Sequence, residues 1–225
     1  SLASKHLLPD AVILDGSLVL SGNKYQKSCN ALDAMSQAIE SAWATGSSKD
    51  SLHHSISALQ MGWSILPDFV KSNCSKLNAQ KMVEAANLAG RAINISKTTA
   101  AHAWSYAFTS SYNIPHGHAV WLTLPVIFEA HANAASDLVT DPRGSGHLVE
   151  IMSQLCQVLN IEGKSSCAMQ LKSVLKKIGI EHRMECVGLD NPENRLSLSN
   201  RVNSERMGNN PVNLEKIKKN IFNLV

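Results

Sequence analysis

Asn30-Ala31-Leu32-Asp33-Ala34-Met35-Ser36-Gln37-Ala38-Ile39-Glu40 is a helix in sequence form. Its apolar residues recur at helical spacing, Asn30 reads as the N-cap and Gly46 as the stop. Helical patterning continues downstream. Ser48 caps a second helix to about residue 70, and a third spans roughly 78–94. The polar Ser96-Lys97-Thr98-Thr99 segment breaks it, and another helix runs through His102 to about Ser110. Ile114-Pro115-His116-Gly117 reads as a sharp loop before a helix through Trp121 towards Ala134, with a kink or break at Pro125. After the turn Asp141-Pro142-Arg143-Gly144 come helical stretches at about 145–159, 165–178 and 192–206, then a last one from Asn213. Upstream the pattern changes. Pro9-Asp10-Ala11-Val12-Ile13-Leu14-Asp15 reads as one short strand. A single strand cannot fold alone, because its backbone groups need partners. It either docks on the helical body or belongs to a sheet formed by sequence absent from the chain.

Composition agrees with a packed helical domain. Of 225 residues, 44% are hydrophobic and 17% charged, which excludes disorder as the main state. Aromatics are only 5%, and the apolar content lies in Ala, Leu, Ile, Val and Met, a mix that favours helix. Net charge is +3, from 21 basic and 18 acidic residues, with no basic stripe interleaved with aromatics, so no nucleic-acid partner is expected. No apolar run reaches the ~18–20 residues needed to span a bilayer, and a signal-peptide pattern is missing, so the expectation is a soluble, cytoplasmic chain without a membrane partner. Five scattered cysteines (Cys29, Cys74, Cys156, Cys167, Cys186) form no C-x-x-C pair and are expected as free thiols. Any metal must be held by other residues.

Three groups stand out chemically. Asp33 and Gln37, four apart on the first helix, share a face and offer two oxygen donors to a cation; a carboxylate near a helix start is also favoured on electrostatic grounds alone. His102, His116 and His118 fall within a segment otherwise short of charge, and His116 sits in a Pro-His-Gly turn. Imidazole is the commonest ligand for zinc or iron, so these histidines plus an Asp make a usable site. Ser96-Lys97-Thr98-Thr99 combines a helix start, hydroxyls and an ammonium, which suits an anion as well as ordinary capping. His53, His54, His131 and His147 read as surface or packing residues, and Lys172, Lys176 and Lys177 as a solvated helix face.

The Asn30–Glu40 segment, Ala89-Gly90-Arg91-Ala92, and His102 followed by Pro115-His116-Gly117-His118-Ala119, with His116 fourteen residues on, and by Leu122-Thr123-Leu124-Pro125 resemble the iron-containing (group III) alcohol dehydrogenases. The tail Val202–Pro211 is similar to that family's ending. The resemblance implies an all-α, helical bundle-like C-terminal domain of the dehydroquinate synthase-like fold. Residues 1–25, with the short strand, would be the end of an N-terminal dinucleotide-binding domain, and 26–225 the metal-binding domain. The glycine-rich pyrophosphate turn of that first domain is missing, so the expectation is the metal-binding half of a longer dehydrogenase, inactive alone.

Carried over residue by residue, the metal ligands implied are Asp33, Gln37, His102 and His116. Gln37 departs from the family, where histidine is common; an amide oxygen is a harder and weaker donor than imidazole. The implied cofactors are a divalent metal, iron first and zinc second, and NAD(P)H bound mainly outside this chain. The implied reaction is reduction of a small aldehyde to an alcohol. Tyr106, one turn after His102, stands where relatives often have another histidine near the substrate. As a general acid it needs a pKa lowered from ~10. Gln37, the Ser96–Thr99 segment and the Pro-His-Gly-His loop resemble a subgroup that reduces phosphonoacetaldehyde, with Ser96, Lys97, Thr98, Thr99 and His118 binding substrate. Two other readings stand beside it: a dehydroquinate synthase-like lyase, and a non-catalytic helical binding or homodimerisation module.

Overall fold

The computed structural model describes residues 5–216 together with 218 and 222. The chain is all-helical, and the described residues form no strand, only an isolated antiparallel bridge between Val139 and Val212. The centre is α1, Lys24–Trp43, which packs against α2 (Lys49–Gly62), α4 (Lys76–Ser96) and α6 (His116–Trp121). Between them lie the short α3 (Leu66–Phe69) and α5 (Ala100–Tyr112), which packs on α6. Then come α7 (Leu124–Ala132), α8 (Ser145–Leu159), α9 (Cys167–Ile178), α10 (Pro192–Ser199) and α11 (Ser204–Gly208).

Small residues let α1 sit so deep. Ala31, Ala34, Ala38 and Ala42 on α1 and Ala85, Ala89 and Ala92 on α4 are buried, so neighbouring axes approach closely without a bulky side chain between them. The few aromatics plug the remaining volume. Trp43, Trp104, Trp121, Phe108, Phe128 and Phe222 are fully buried, and Trp63 stacks on Trp121. All five cysteines are free thiols. No helix among the described residues is long and apolar enough to cross a membrane.

Several sequence expectations shift. The first helix starts at Lys24, where the Asn23 side chain accepts from the Gln26 N–H, so Asn30 lies inside it. Nothing in residues 24–29 interrupts a helix, and the earlier cap wins. Ser48 does cap α2, with a reciprocal bond to Ser51, but α2 ends at Gly62 because Pro67 cannot continue a helix and instead sits in the first turn of α3. Likewise the break near Pro125 falls just before it, placing that proline at the start of α7. His116 is not in a loop: it is the first residue of α6, with Pro115 as its N-cap. The stretch at 192–206 divides into α10 and α11, and after Asn213 the described chain makes only a 3-10 turn, Leu214–Lys216.

The strand expected at Pro9–Asp15 is absent. The segment carries no regular secondary structure and pairs with no strand among the described residues, and Val12 and Ile13 are exposed. Its end is tied down differently. The Gln80 side chain accepts from the Gly16 N–H at 2.8 Å and donates to the Leu14 carbonyl at 3.1 Å, and Gly16 lies against the α4 backbone, where no Cβ would fit.

Candidate metal centre

Asp33, Gln37 and Glu40 recur at helical spacing along one face of α1, and α5 and α6 present His102 and His116 to it. Asp33 Oδ1 is 3.4 Å from His102 Nε2 and 3.7 Å from His116 Nε2. One donor atom from each of the three lies within 4.8 Å of the others. Asp33 Oδ1 and His102 Nε2 are buried without a hydrogen-bond partner. Orphaned buried atoms of this kind are costly, and a cation between them would satisfy both. One carboxylate and two imidazoles with an open side suit zinc or iron in a reactive rather than a closed structural site. The residues present therefore fit a divalent metal.

Close approach of α6 to α1 makes the cluster possible. A Cβ on Gly117 would sit 2.0 Å from the Cys29 carbonyl oxygen and 3.0 Å from Asp33 Cβ, so the residue after His116 must be glycine for the histidine to arrive. The other ligand-bearing element is anchored by a buried carboxylate. Glu40 accepts from Thr99 N at 3.2 Å, Thr99 Oγ1 at 2.8 Å and Ala101 N at 2.8 Å, and hydrogen-bonds His102 Nδ1. Trp43 Nε1 donates to Thr99 Oγ1 at 2.8 Å, extending the network back to α1. With Nδ1 engaged, His102 turns Nε2 toward Asp33.

Electrostatics follow. Burial alone would strip the proton from His102, but the charges of Glu40 and Asp33, with the hydrogen bond from Nδ1 to Glu40, outweigh it and hold the imidazole up to about 9. Burial would raise the Glu40 carboxyl, yet His102 and Thr99 bring it below its ordinary value. His116 is pushed down, first by burial and then by the charges of His102 and Arg206 against the pull of Asp33. Its lone pair is thus available.

The remaining candidates are distributed as follows. Gln37 Nε2 donates to Asp33 Oδ2 at 3.0 Å, which leaves Oδ1 facing the histidines. Tyr106 is exposed, its ring stacked on His116 at 5.2 Å, with the Arg206 guanidinium 5.3 Å above its centroid. His118 is not in the cluster: its Nδ1 pairs with the Tyr25 hydroxyl at 2.9 Å, and Nε2 meets the Glu181 carbonyl. Within the 96–99 segment, Ser96 Oγ bonds Ser41 Oγ, and Thr99 serves Glu40. The anion at the start of α5 is thus the protein's own Glu40. Lys97 is exposed at φ +63°, its Nζ donating to the Asn94 carbonyl, and the Thr98 hydroxyl is buried without a partner. Sequence reasoning passed over Glu40 and Arg206. Glu40 carried a signal, since it lies two turns from Asp33 on the same face; Arg206 carried none.

Residues 29–224 match the Fe-containing alcohol dehydrogenase family, C-terminal. The chain belongs to this family. Among curated relatives, phosphonoacetaldehyde reductase of Streptomyces viridochromogenes is 31% identical over 161 residues, covering 71% of this chain and 40% of that protein. Probable alcohol dehydrogenase EutG of Escherichia coli (strain K12) is 28% identical over 128 residues, covering 57% and 32%. In fold, the chain is similar to sulfoacetaldehyde reductase from Bifidobacterium kashiwanohense, solved in complex with NAD+, with a TM-score of 0.81 at 22% identity over 99% of this chain and 56% of that one. The chain spans about half the length of its Fe-containing alcohol dehydrogenase relatives, or less.

Proposed function

We propose that this chain is the metal-holding part of an oxidoreductase that reduces a small aldehyde with NAD(P)H. The observation that carries it is the Asp33, His102 and His116 cluster, with its unpaired Asp33 Oδ1 and His102 Nε2. In this reading these residues hold one divalent ion, iron first and zinc second, and Gln37 stands as a fourth donor that also braces Asp33. When bound, such an ion supplies Lewis-acid polarisation of the carbonyl. The chain's own residues do the rest. Glu40 keeps His102 in one orientation, and Gln37 keeps Asp33 turned inward. Tyr106 offers an exposed ring and hydroxyl beside His116, where a bound aldehyde would lie. The nicotinamide is held mainly by sequence outside this chain.

The finer reading is that the aldehyde is phosphonoacetaldehyde. It is supported by the 31% identity to a phosphonoacetaldehyde reductase and by the positions of Lys97 and Thr98. The experiment is NADPH oxidation by the full-length protein loaded with Fe2+ or Zn2+, with phosphonoacetaldehyde and propanal as substrates. Turnover that is lost in Asp33→Ala is expected. A loaded protein that binds metal but oxidises NADPH with neither aldehyde overturns the reading.

A further inference from the structure

A cleft of about 660 Å³ opens between the C-terminal end of α4 and α11, lined among others by Lys97, Thr98, Arg206 and Asn209. Its polar groups are unevenly provided for. Asn209 is fully committed to holding the walls: its amide nitrogen donates to the Ser96 and Thr98 carbonyls, and its oxygen accepts from the Gly46 N–H. By contrast, Thr98 Oγ1 is buried with no partner, although the residue is only 1% exposed. Lys97 Nζ meets one backbone carbonyl at 3.3 Å. Arg206 is half-buried, and no carboxylate pairs with it among the described residues. A guanidinium partly withdrawn from water with no anion beside it is an incomplete arrangement, because its planar fork matches a carboxylate or a tetrahedral oxyanion. The one carboxylate lining the cleft, Glu205, is exposed and makes no ion pair with it.

Arg206 also reaches the metal centre. It lies over the Tyr106 ring at 5.3 Å, and that ring stacks on His116 at 5.2 Å. The Tyr106 ring thus contacts both the cation and one of the clustered donors. A short acid whose reactive end is at Asp33, His102 and His116 would direct its far end toward this guanidinium.

We propose that this cleft takes the acidic tail of the substrate, a tetrahedral oxyanion of the phosphonate or sulfonate class, and that Arg206 selects it, with Lys97 and the Thr98 hydroxyl as further donors. The proposal rests on the aldehyde-reductase reading for the other end of the ligand, but not for the anion itself. Arg206 thereby takes over the role that the hydroxyls of Ser96 and Thr99, turned inward, do not fill.

Two measurements on the full-length protein test it. The first is calorimetric titration with phosphonoacetate, a stable acid of the same tail, and with inorganic phosphate, in wild type and Arg206→Met. Binding weakened at least about tenfold by the substitution is expected, the scale of a lost charge-assisted bond. Arg206→Lys should fall between, keeping charge but losing the fork. Absence of binding in wild type, or equal binding in Arg206→Met, overturns the proposal. The second is the ratio of kcat/KM for phosphonoacetaldehyde to that for propanal, which should drop about tenfold in Arg206→Met. A ratio that does not move means that Arg206 only packs on Tyr106, and sinks the idea. Should wild type bind phosphonoacetate through Arg206 yet reduce no aldehyde, the anion site stands and the aldehyde reading fails.

Discussion

Glu40 decides how the metal centre is oriented without being one of its three clustered donors. A carboxylate with no solvent exposure survives only because Thr99, Ala101 and His102 satisfy it, and in return it fixes which nitrogen His102 presents. Glu40→Gln keeps the shape but places an amide N–H₂ against groups that already donate. We expect divalent-metal affinity to fall about ten- to hundredfold, measured by competition with a chromogenic chelator, with helix content unchanged by circular dichroism. Affinity equal to wild type would show that His102 needs no such brace. At this scale the sequence was legible in part. Asp33, His102 and His116 were recognisable as residue types that bind metal, and they do converge. Glu40 was not, because its role depends on backbone N–H groups of a helix about sixty residues away, and no spacing rule reports that contact.

At the scale of elements, helix placement follows local rules where local signals are strong. Ser48 with Ser51, Pro67 and Pro125 each put a boundary where capping and ring sterics require one. The approach of α6 to α1 is different, since Gly117 could be read in sequence only as a turn residue. In the structure it is the contact point between two helices. Gly117→Ala forces a methyl group into the Cys29 carbonyl, and neither helix backbone can yield cheaply. We expect a loss of about 3 kcal/mol, read as a lower urea midpoint, together with loss of metal binding as His116 is pushed away. A stable Gly117→Ala protein that still binds metal would mean that α6 can shift without moving the site. The missing strand has the same origin: the β-branched Val12 and Ile13 favour extension, but a ladder needs a second chain segment, and the helical body offers none.

At the scale of the whole molecule, His131 links the parts. It is buried on α7, meets Trp43 of α1 edge-on at 4.5 Å, and accepts from Asn210 Nδ2 of the C-terminal segment at 3.1 Å. Burial pushes its pKa down to about 3, only slightly opposed by Glu40. The unfolded chain takes up a proton here near pH 6.5, whereas the folded chain refuses it until about pH 3. Its contribution is therefore intact above pH 6.5 and lost as pH falls below that. Relative to His131→Phe, urea unfolding of the metal-free wild type should lose about 2 kcal/mol between pH 7.5 and 5, a difference that isolates this site from His102, whose raised pKa acts in the opposite sense. The difference holds whatever the substitution does to absolute stability. An unchanged slope would assign the acid sensitivity to other groups.

The sequence by itself determined the helical class, the metal-competent residue types and the family, because periodicity, caps and chemical identity are local properties written along the chain. Tertiary structure alone decided which donors meet, that the start of α5 is filled by Glu40, and that Arg206 comes to stand over Tyr106. Those outcomes depend on close helix packing through small residues, which brings together side chains up to a hundred residues apart and which only the folded chain can set.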